Sequence, residues 1–461
     1  MKNWQRILES IPDGTAEQDF EDRFVIPFLE EVGFDGDRRT RDRSRQFTGY
    51  YNNKSYRVKP DFVCWSGVPE AENSHPYLVV ENKAVNSEYW RDAVDKIKKS
   101  LQVVATPSIS GQTVSKSAQF GIATNGIYLQ LFQRHGKISV PRTPRFELRK
   151  TPINQIIEEI RKNLDSPRRA LTVMCWNNKG GVGKTTITTH LSSALSVRKN
   201  IQVLVLNFDL QADLNSLFNI SRMSDYHSKA KLYLYDALCD VGTGNYEHID
   251  DYPKMVVSKT YKQASINVIP GELSMFEVEA GEWNNRVDSL RMLLEKAGFY
   301  QDYDYIFIDA SPSWRGMGEL AAVASDIILP IIDNSDFSIE AVKRLKSIYL
   351  SFRNKGKWNI RRSPKPPTIE GYILNSRSRG SETEEAFFAN TERKLERENL
   401  DEPVLARIKN LAKLQEIQTS IVKTYYNAKS SWDKLSELEK LEESKSNSIP
   451  RLFIKIANDI F

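Results

Sequence analysis

The segment KGGVGKTT at 179–186, set between the apolar run LTVMCW and the helix-like run ITTHLSSALS, constrains this chain more than any other feature of its sequence. Gly180, Gly181 and Gly183 let the backbone curl so that successive N–H groups face inward. The N-terminus of the following helix brings the positive end of its dipole to the same place. A strand, a glycine loop and a helix in that order form a phosphate cradle. Lys184 is positioned to reach β- and γ-phosphates, and the Thr185 hydroxyl to complete a Mg²⁺ shell. The expected loop is therefore Lys179, Gly180, Gly181, Val182, Gly183, Lys184, Thr185 and Thr186. An ordinary loop of this type has Gly six positions before its lysine, where this chain has Asn178.

The rest of the chain is organised around that loop. From 171 onward the runs LTVMCW, QVLVLNF, YIFIDA, DIILPII and EGYILN are separated by segments long enough for helices, which predicts a doubly wound, mostly parallel α/β sheet. A charged tail of helical character follows from about 381. Ahead of the loop, Thr15 and Gln18 have capping-box spacing, and Phe20, Phe24, Phe28 and Leu29 recur at helical period. Short β-rich runs then fill 56–132, interrupted by a helical segment at about 89–104. INQIIEEIRKNL and DSPRRA precede the strand at Leu171. The 461 residues thus divide into a first domain at 1–150, a linker helix at 151–170 and a second domain at 171–461.

KGGxGKT with an extra lysine at its head resembles the deviant Walker A loop of the ParA/MinD family of ATPases. VLVLNFDLQADLNSLF resembles the family's second strand and Asp-Pro-Gln element, YDYIFIDASPS its Walker B strand, and GYILNSR its late strand. The resemblance implies a P-loop NTPase fold that binds ATP with Mg²⁺. In it Asp209 positions the attacking water, Asp309 serves the metal, and Asn375 recognises adenine. It also implies a homodimer that sandwiches two ATP molecules, with Lys179 crossing to the partner's phosphates. Asn207 and Leu210 depart from the family, which more often has Asp and Pro there.

In the first domain, Pro60-Asp61 lies on one β-rich run and Glu81-Asn82-Lys83 ends the next, twenty positions on from Asp61. Adjacent strands bring such carboxylates together. With the backbone carbonyl of Asn82 they form the oxygen-rich site that Mg²⁺ prefers. Side-chain alternation puts Lys83 on the face of Glu81, beside the metal, as metal-assisted phosphodiester hydrolysis requires. EQDFEDRFVIPFLEEVGF, PDF, VVENKA and FGIATNGIYLQLF together resemble the PD-(D/E)xK nuclease domain at the N-terminus of type I restriction motor subunits. This implies a restriction-endonuclease-like α/β/α core over about 15–140 and a helix carboxylate at the metal. Glu17 matches that carboxylate best, with Glu21 one turn along the same face. Gln102 is a weaker match to a supporting glutamine.

Composition narrows the remaining classes. Lys and Arg exceed Asp and Glu by only 65 to 60, so contact with a polyanion is permitted without being announced. The basic runs at 37–45, 166–170 and 359–365, the first followed by Tyr50 and Tyr51, could follow a phosphate backbone or be solvated loops. Cys64, Cys175 and Cys239 are odd in number and in no CxxC spacing, and the five histidines do not pair at ligand spacing, so neither a disulfide framework nor a zinc site is expected. No window approaches ~18 uninterrupted apolar residues, and a cytoplasmic location follows as the expectation. The combined expectation is a Mg²⁺-dependent DNA endonuclease gated by ATP-driven dimerisation, acting in prokaryotic defence, with a partner protein as a source of specificity. The alternative is a ParA-like DNA partition or positioning ATPase whose first domain only binds DNA.

Overall fold

The computed structural model describes residues 2–41, 47–51, 54–69, 71, 74–107, 113–114, 117–209, 213–220, 232–279, 287–314, 316–354, 365–376, 383–408, 421–432 and 449–461. The chain forms two units, Met1–Pro167 and Arg168–Phe461.

The first unit is built on a mixed sheet of β1 (Arg39–Thr40), β2 (Phe62–Trp65), β3 (Pro76–Asn82), β4 (Phe120–Thr124), β5 (Tyr128–His135) and β6 (Ile138–Pro141), in that spatial order, with β7 (Phe146–Glu147) also paired to β5. β3 and β4 are parallel, and the chain crosses between them through helix α1 (Trp90–Leu101). Alternation along β3 divides its side chains between two cores. Leu78 and Val80 pack with Phe20, Phe24 and Phe28, whereas Val79 packs with Ala93, Ile97 and Leu101 of α1. A helix layer therefore covers each face of the sheet. The antiparallel register of β2 on β3 sets Phe62 opposite Val80, which places Asp61 beside Glu81.

The second unit holds a nine-stranded sheet. Its order is β10 (Val257–Tyr261), β11 (Ala264–Ile269), β9 (Val203–Phe208), β12 (Tyr305–Ala310), β8 (Leu171–Trp176), β13 (Ile327–Ile332), β14 (Tyr372–Asn375) and β15 (Val404–Ile408), with Thr368–Ile369 paired to β13. All pairings are parallel except the β10–β11 hairpin. Every residue of β8, β9, β12 and β13 is buried, because helices cover both faces. Helix α3 (Lys184–Ser196) follows β8, and α4 (Asp336–Asn354) follows β13. Two C-terminal helices, α5 (Ile421–Trp432) and α6 (Ile449–Ile460), pack on α3. There the His190 ring stacks on Phe453 at 4.8 Å, and its Nδ1 shares a 2.7 Å hydrogen bond with the Tyr425 hydroxyl.

Several elements differ from the sequence reading. Ala16, not Thr15, caps the first long helical stretch, since the Thr15 hydroxyl is spent on the Pro12 carbonyl. That stretch runs through Glu17–Phe20, a π-helical turn at Glu21–Val25, and Ile26–Glu31. RVKPDFVCW is two strands, Lys54–Val58 in a small separate sheet and Phe62–Trp65 in the main one, because Pro60 interrupts the run. The helix expected at 89–104 stops at Leu101, and Val103 begins another strand. The helix expected as a linker is α2 (Ile153–Asp165), and its Ile153, Ile156, Ile157, Ile160 and Leu164 are buried in the core of the first unit. In the basic run at 166–170, Arg169 is buried against Asp326 rather than free to meet a polyanion. The tail contains a strand, β15, as well as the helix Glu384–Arg397. Residues 42–45, 210–212, 359–364, 377 and 434–445 of the expected motifs and runs, with His227, lie outside the described residues. Among the described residues, no helix is long and apolar enough to cross a membrane.

Candidate functional site

In the first unit a buried acidic cluster forms where β2, β3 and the first helical stretch meet. Asp61 precedes β2, and its Oδ2 accepts the Asn82 N–H at 2.8 Å. Strand parity turns Glu81 toward α1 and Asn82 toward the opposite layer, where the Asn82 amide donates to Glu21 Oε1 at 3.2 Å. Carboxylate oxygens of Glu17, Glu21 and Asp61 lie within 4.8 Å of one another. The sequence left Glu17 and Glu21 as alternatives, and the structure brings both in. They start successive segments of the stretch, and the wider π-helical turn begins at Glu21. Glu21, Glu81 and Asn82 have no exposed surface, and Arg41 pairs with Glu21 and Asp22.

The lysines are arranged differently from the expectation. Lys83 turns away from Glu81, donating to the Asn82 carbonyl at 3.0 Å and approaching Glu17 at 3.7 Å. Lys96, from the middle of α1, reaches Glu81 Oε2 at 2.5 Å and Asp61 Oδ1 at 3.5 Å. One turn further along α1, the Ser100 hydroxyl donates to Glu81 Oε1 at 2.6 Å. Burial, followed by repulsion from Asp61, pushes the Glu81 carboxyl up to about 8 against the opposing pull of Lys96. Burial acts to lower the Lys96 ammonium, but Glu81 and Asp61 outweigh it and hold it above its ordinary value. Gln102 is not part of the cluster; its amide donates to Ser139 on β6. The donor set suits a hard divalent cation: carboxylate oxygens converge, and Asn82 Oδ1 is a buried acceptor that lacks a partner among the described residues. Sequence reasoning missed Lys96 and Ser100, which no motif links to Glu81.

In the second unit the glycine loop occupies the C-terminal end of the sheet. Gly181 and Gly183 take positive φ, 72° and 99°, and α3 begins at Lys184. The Lys184 ammonium lies across the loop, 3.4 Å from the Lys179 carbonyl. Asp309, buried near the end of β12, is in register with Cys175 of β8 and Asn207 of β9 and so sits beside the loop. Asp209, just past β9, donates its N–H to Asn207 Oδ1 at 3.4 Å. Asn375 closes the other side, its amide donating to the Val182 carbonyl at 2.7 Å, and its Oδ1 is buried without a partner among the described residues. The Lys179 ammonium is held within the same chain by Asp333 at 2.5 Å and the Ser335 hydroxyl at 2.8 Å. Burial alone would raise Asp333, but Lys179 and Ser335 outweigh it and hold the carboxyl below its ordinary range. The Asn177 amide anchors the start of the loop on Ile331 and Ser338. Asn177, Asp333 and Ser335 carried no motif signal.

Residues 170–361 match the family described as an AAA domain. The ParA family protein of Chlamydia pneumoniae is 28% identical over 169 residues, covering 36% of this chain and 60% of that protein. The chromosome partitioning protein ParA of Caulobacter vibrioides is 28% identical over 182 residues, covering 39% and 61%. The C-terminal unit carries a ParA/MinD-type P-loop ATPase domain. The chain thus spans about 60% of the length of these relatives. Among solved structures, an ATP complex of McdA from Cyanothece aligns with 64% of this chain and 97% of that one at 16% identity and a TM-score of 0.46.

Proposed function

We propose that this chain is a Mg²⁺-dependent DNA endonuclease whose first unit cuts the phosphodiester backbone and whose ATPase domain controls it through ATP-dependent dimerisation. The observation that carries the proposal is the convergence of the Glu17, Glu21 and Asp61 carboxylates, with Glu81 joined to Asp61 through Lys96 and with Lys83 beside Glu17. Asp61 and Glu81 would hold the cation with the Asn82 carbonyl, and the helix carboxylates would complete its shell. When bound, the cation supplies the positive charge that polarises the phosphodiester and acidifies water. Lys83, loosely held at the edge of the cluster, orients the attacking water. The water oxygen would bond to phosphorus and give up a proton to solvent as the P–O bond to the leaving strand breaks, and the leaving-strand oxygen would take up a proton from solvent.

In the ATPase domain, Gly180, Gly181, Val182, Gly183 and Thr186 would offer backbone N–H groups to the phosphates, Lys184 would supply positive charge to them, and Thr185 and Asp309 would serve Mg²⁺. The Oδ1 of Asn375, without a partner among the described residues, suits the exocyclic amine of adenine. Lys179 would leave Asp333 to meet the partner's phosphates, and Asp209 would position the water for hydrolysis. Two first units brought together in the dimer could cut both strands; a lone one would nick or stay silent. Pairing a nuclease with a nucleotide switch suits defence against foreign DNA in a prokaryote.

The test is plasmid incubated with Mg²⁺, with and without ATP, for the wild type and for Lys83→Ala and Lys184→Ala. ATP-stimulated cutting lost in both variants is expected; plasmid left intact by the wild type in every condition overturns the reading. A second reading, a DNA partition or positioning ATPase, is favoured by the similarity to chromosome partitioning ParA. It requires that Asp61→Ala leave every cellular phenotype unchanged while Lys184→Ala abolishes DNA association.

A further inference from the structure

Lys96 stands where the cation of the proposed site would be needed. Its ammonium touches both Asp61 and Glu81, and among the described residues it is the only cation in ion-pair contact with either. The two carboxylates are almost wholly buried, 8% and 0% exposed, whereas the Lys96 side chain is 34% exposed on a four-carbon stem. The stem can therefore swing toward solvent while the carboxylates stay in place. Its anchor is rigid: Ala93, Ile97 and Leu101 on the same helix are fixed in the core against β3. Ser100, one turn on, holds the other Glu81 oxygen and fixes the direction in which Glu81 Oε2 points. Lys83, the lysine on the strand itself, makes no ion pair with Asp61 or Glu81 among the described residues and turns to Glu17 instead.

We propose that Lys96 is a place-holding cation: its ammonium occupies the position between Asp61 and Glu81 in the metal-free chain and must be expelled before a divalent metal can bind there. This rests on the metal-site reading above and adds its regulation. Two like charges cannot share carboxylates at these separations in a buried setting, so ammonium and metal compete directly. The metal-free fold is stabilised by Lys96, metal affinity is held down by it, and any event that moves α1 or draws the lysine to another anion loads the site. A phosphate of the DNA backbone is one such anion, which would couple substrate arrival to metal entry.

The test is Mn²⁺ titration by calorimetry on the nucleotide-free full chain, with thermal unfolding of the same samples with and without Mn²⁺. Wild type, Lys96→Met and Lys96→Gln are compared, each with and without Asp61→Asn to subtract binding elsewhere. The expected result is Mn²⁺ affinity tighter by about tenfold or more in the Lys96 variants, on the scale at which groups behind a metal shell tune it. Their Tm should be lower than wild type without metal and recover with it. Because the two substitutions differ in polarity and shape, loss of folding in one leaves the other to decide. Equal or weaker Mn²⁺ affinity in the variants, with wild type binding in an Asp61-dependent way, refutes the place-holder and spares the metal site. No Asp61-dependent binding in any protein refutes the metal site itself, and the place-holder with it.

Discussion

Lys179 and Asp333, 154 positions apart in the chain, form a 2.5 Å ion pair that holds the head lysine of the glycine loop against the end of β13. The lysine that the family resemblance assigns to a partner's phosphates is thereby engaged within its own subunit.

Asp333→Asn should release it. The expected outcome is dimerisation at a few-fold lower ATP concentration, consistent with the about 0.2–1 kcal/mol of a partly exposed pair. Lys179→Ala should instead retain ATP and lose the dimer. Light scattering across an ATP titration checks both.

Gly183→Ala should abolish nucleotide binding. At φ 99° a side chain is strained, and a Cβ would lie 2.6 Å from the Asn375 amide nitrogen. The left-handed conformation costs roughly 1–2 kcal/mol by itself. The displaced amide would also lose the Val182 carbonyl. Fluorescence titration with a labelled ATP measures the loss, and circular dichroism shows whether the fold survives.

Asp326 is buried between Arg169 at 2.8 Å and Lys365 at 2.5 Å. Burial would raise its carboxyl, yet the two cations and the Thr172 N–H hold it well below the usual range. A carboxyl depressed in the folded state contributes stability that is present above its unfolded value near 3.8 and is lost as the pH falls through its folded value. Asp326→Asn strands two buried cations and should cost about 3–5 kcal/mol at neutral pH. Urea unfolding followed from pH 7 to pH 3 should show the gap between wild type and variant narrowing in acid.

Glu81 has the opposite sign. Its carboxyl is raised to about 8, so the folded state binds protons more tightly than the unfolded chain. The associated stability is full below the ordinary carboxylate value of 4.5 and is lost as the pH rises through about 8. In the metal-free protein, Glu81→Gln should flatten the decline in urea midpoint between pH 5 and pH 9. Metal binding needs the ionised carboxylate, so Mn²⁺ affinity of the wild type should climb with pH up to about 8 and then level.

Local chemistry was readable in advance wherever it is carried by neighbours in sequence. The turns of KGGVGKTT need glycine at Gly181 and Gly183 because their φ is positive, and the helix must start at Lys184 for its dipole to serve a phosphate. The buried runs of β8, β12 and β13 are apolar but for Thr172 and Asp309, because both faces are covered, and such runs announce themselves. Glu17 and Glu21 could not be separated because they recur at one helical turn, and the π-helical segment brings both to Asp61. Lys96 was invisible: nothing in its own neighbourhood tells which strand residue α1 will cover. Asp333 was equally invisible, since its role exists only once β13 lies beside β8.

The sequence by itself determined the glycine loop, the strand-forming runs and the spacing of Asp61 from Glu81, because these depend on backbone sterics and on residues within a turn or two of one another. Only the tertiary structure decided which charges face which. Lys96 rather than Lys83 meets Glu81, Asp333 holds Lys179, and Arg169 is buried on Asp326. The reason is that burial and Coulomb energy depend on distance through space, and those distances are set when helices and strands far apart in the chain pack against each other.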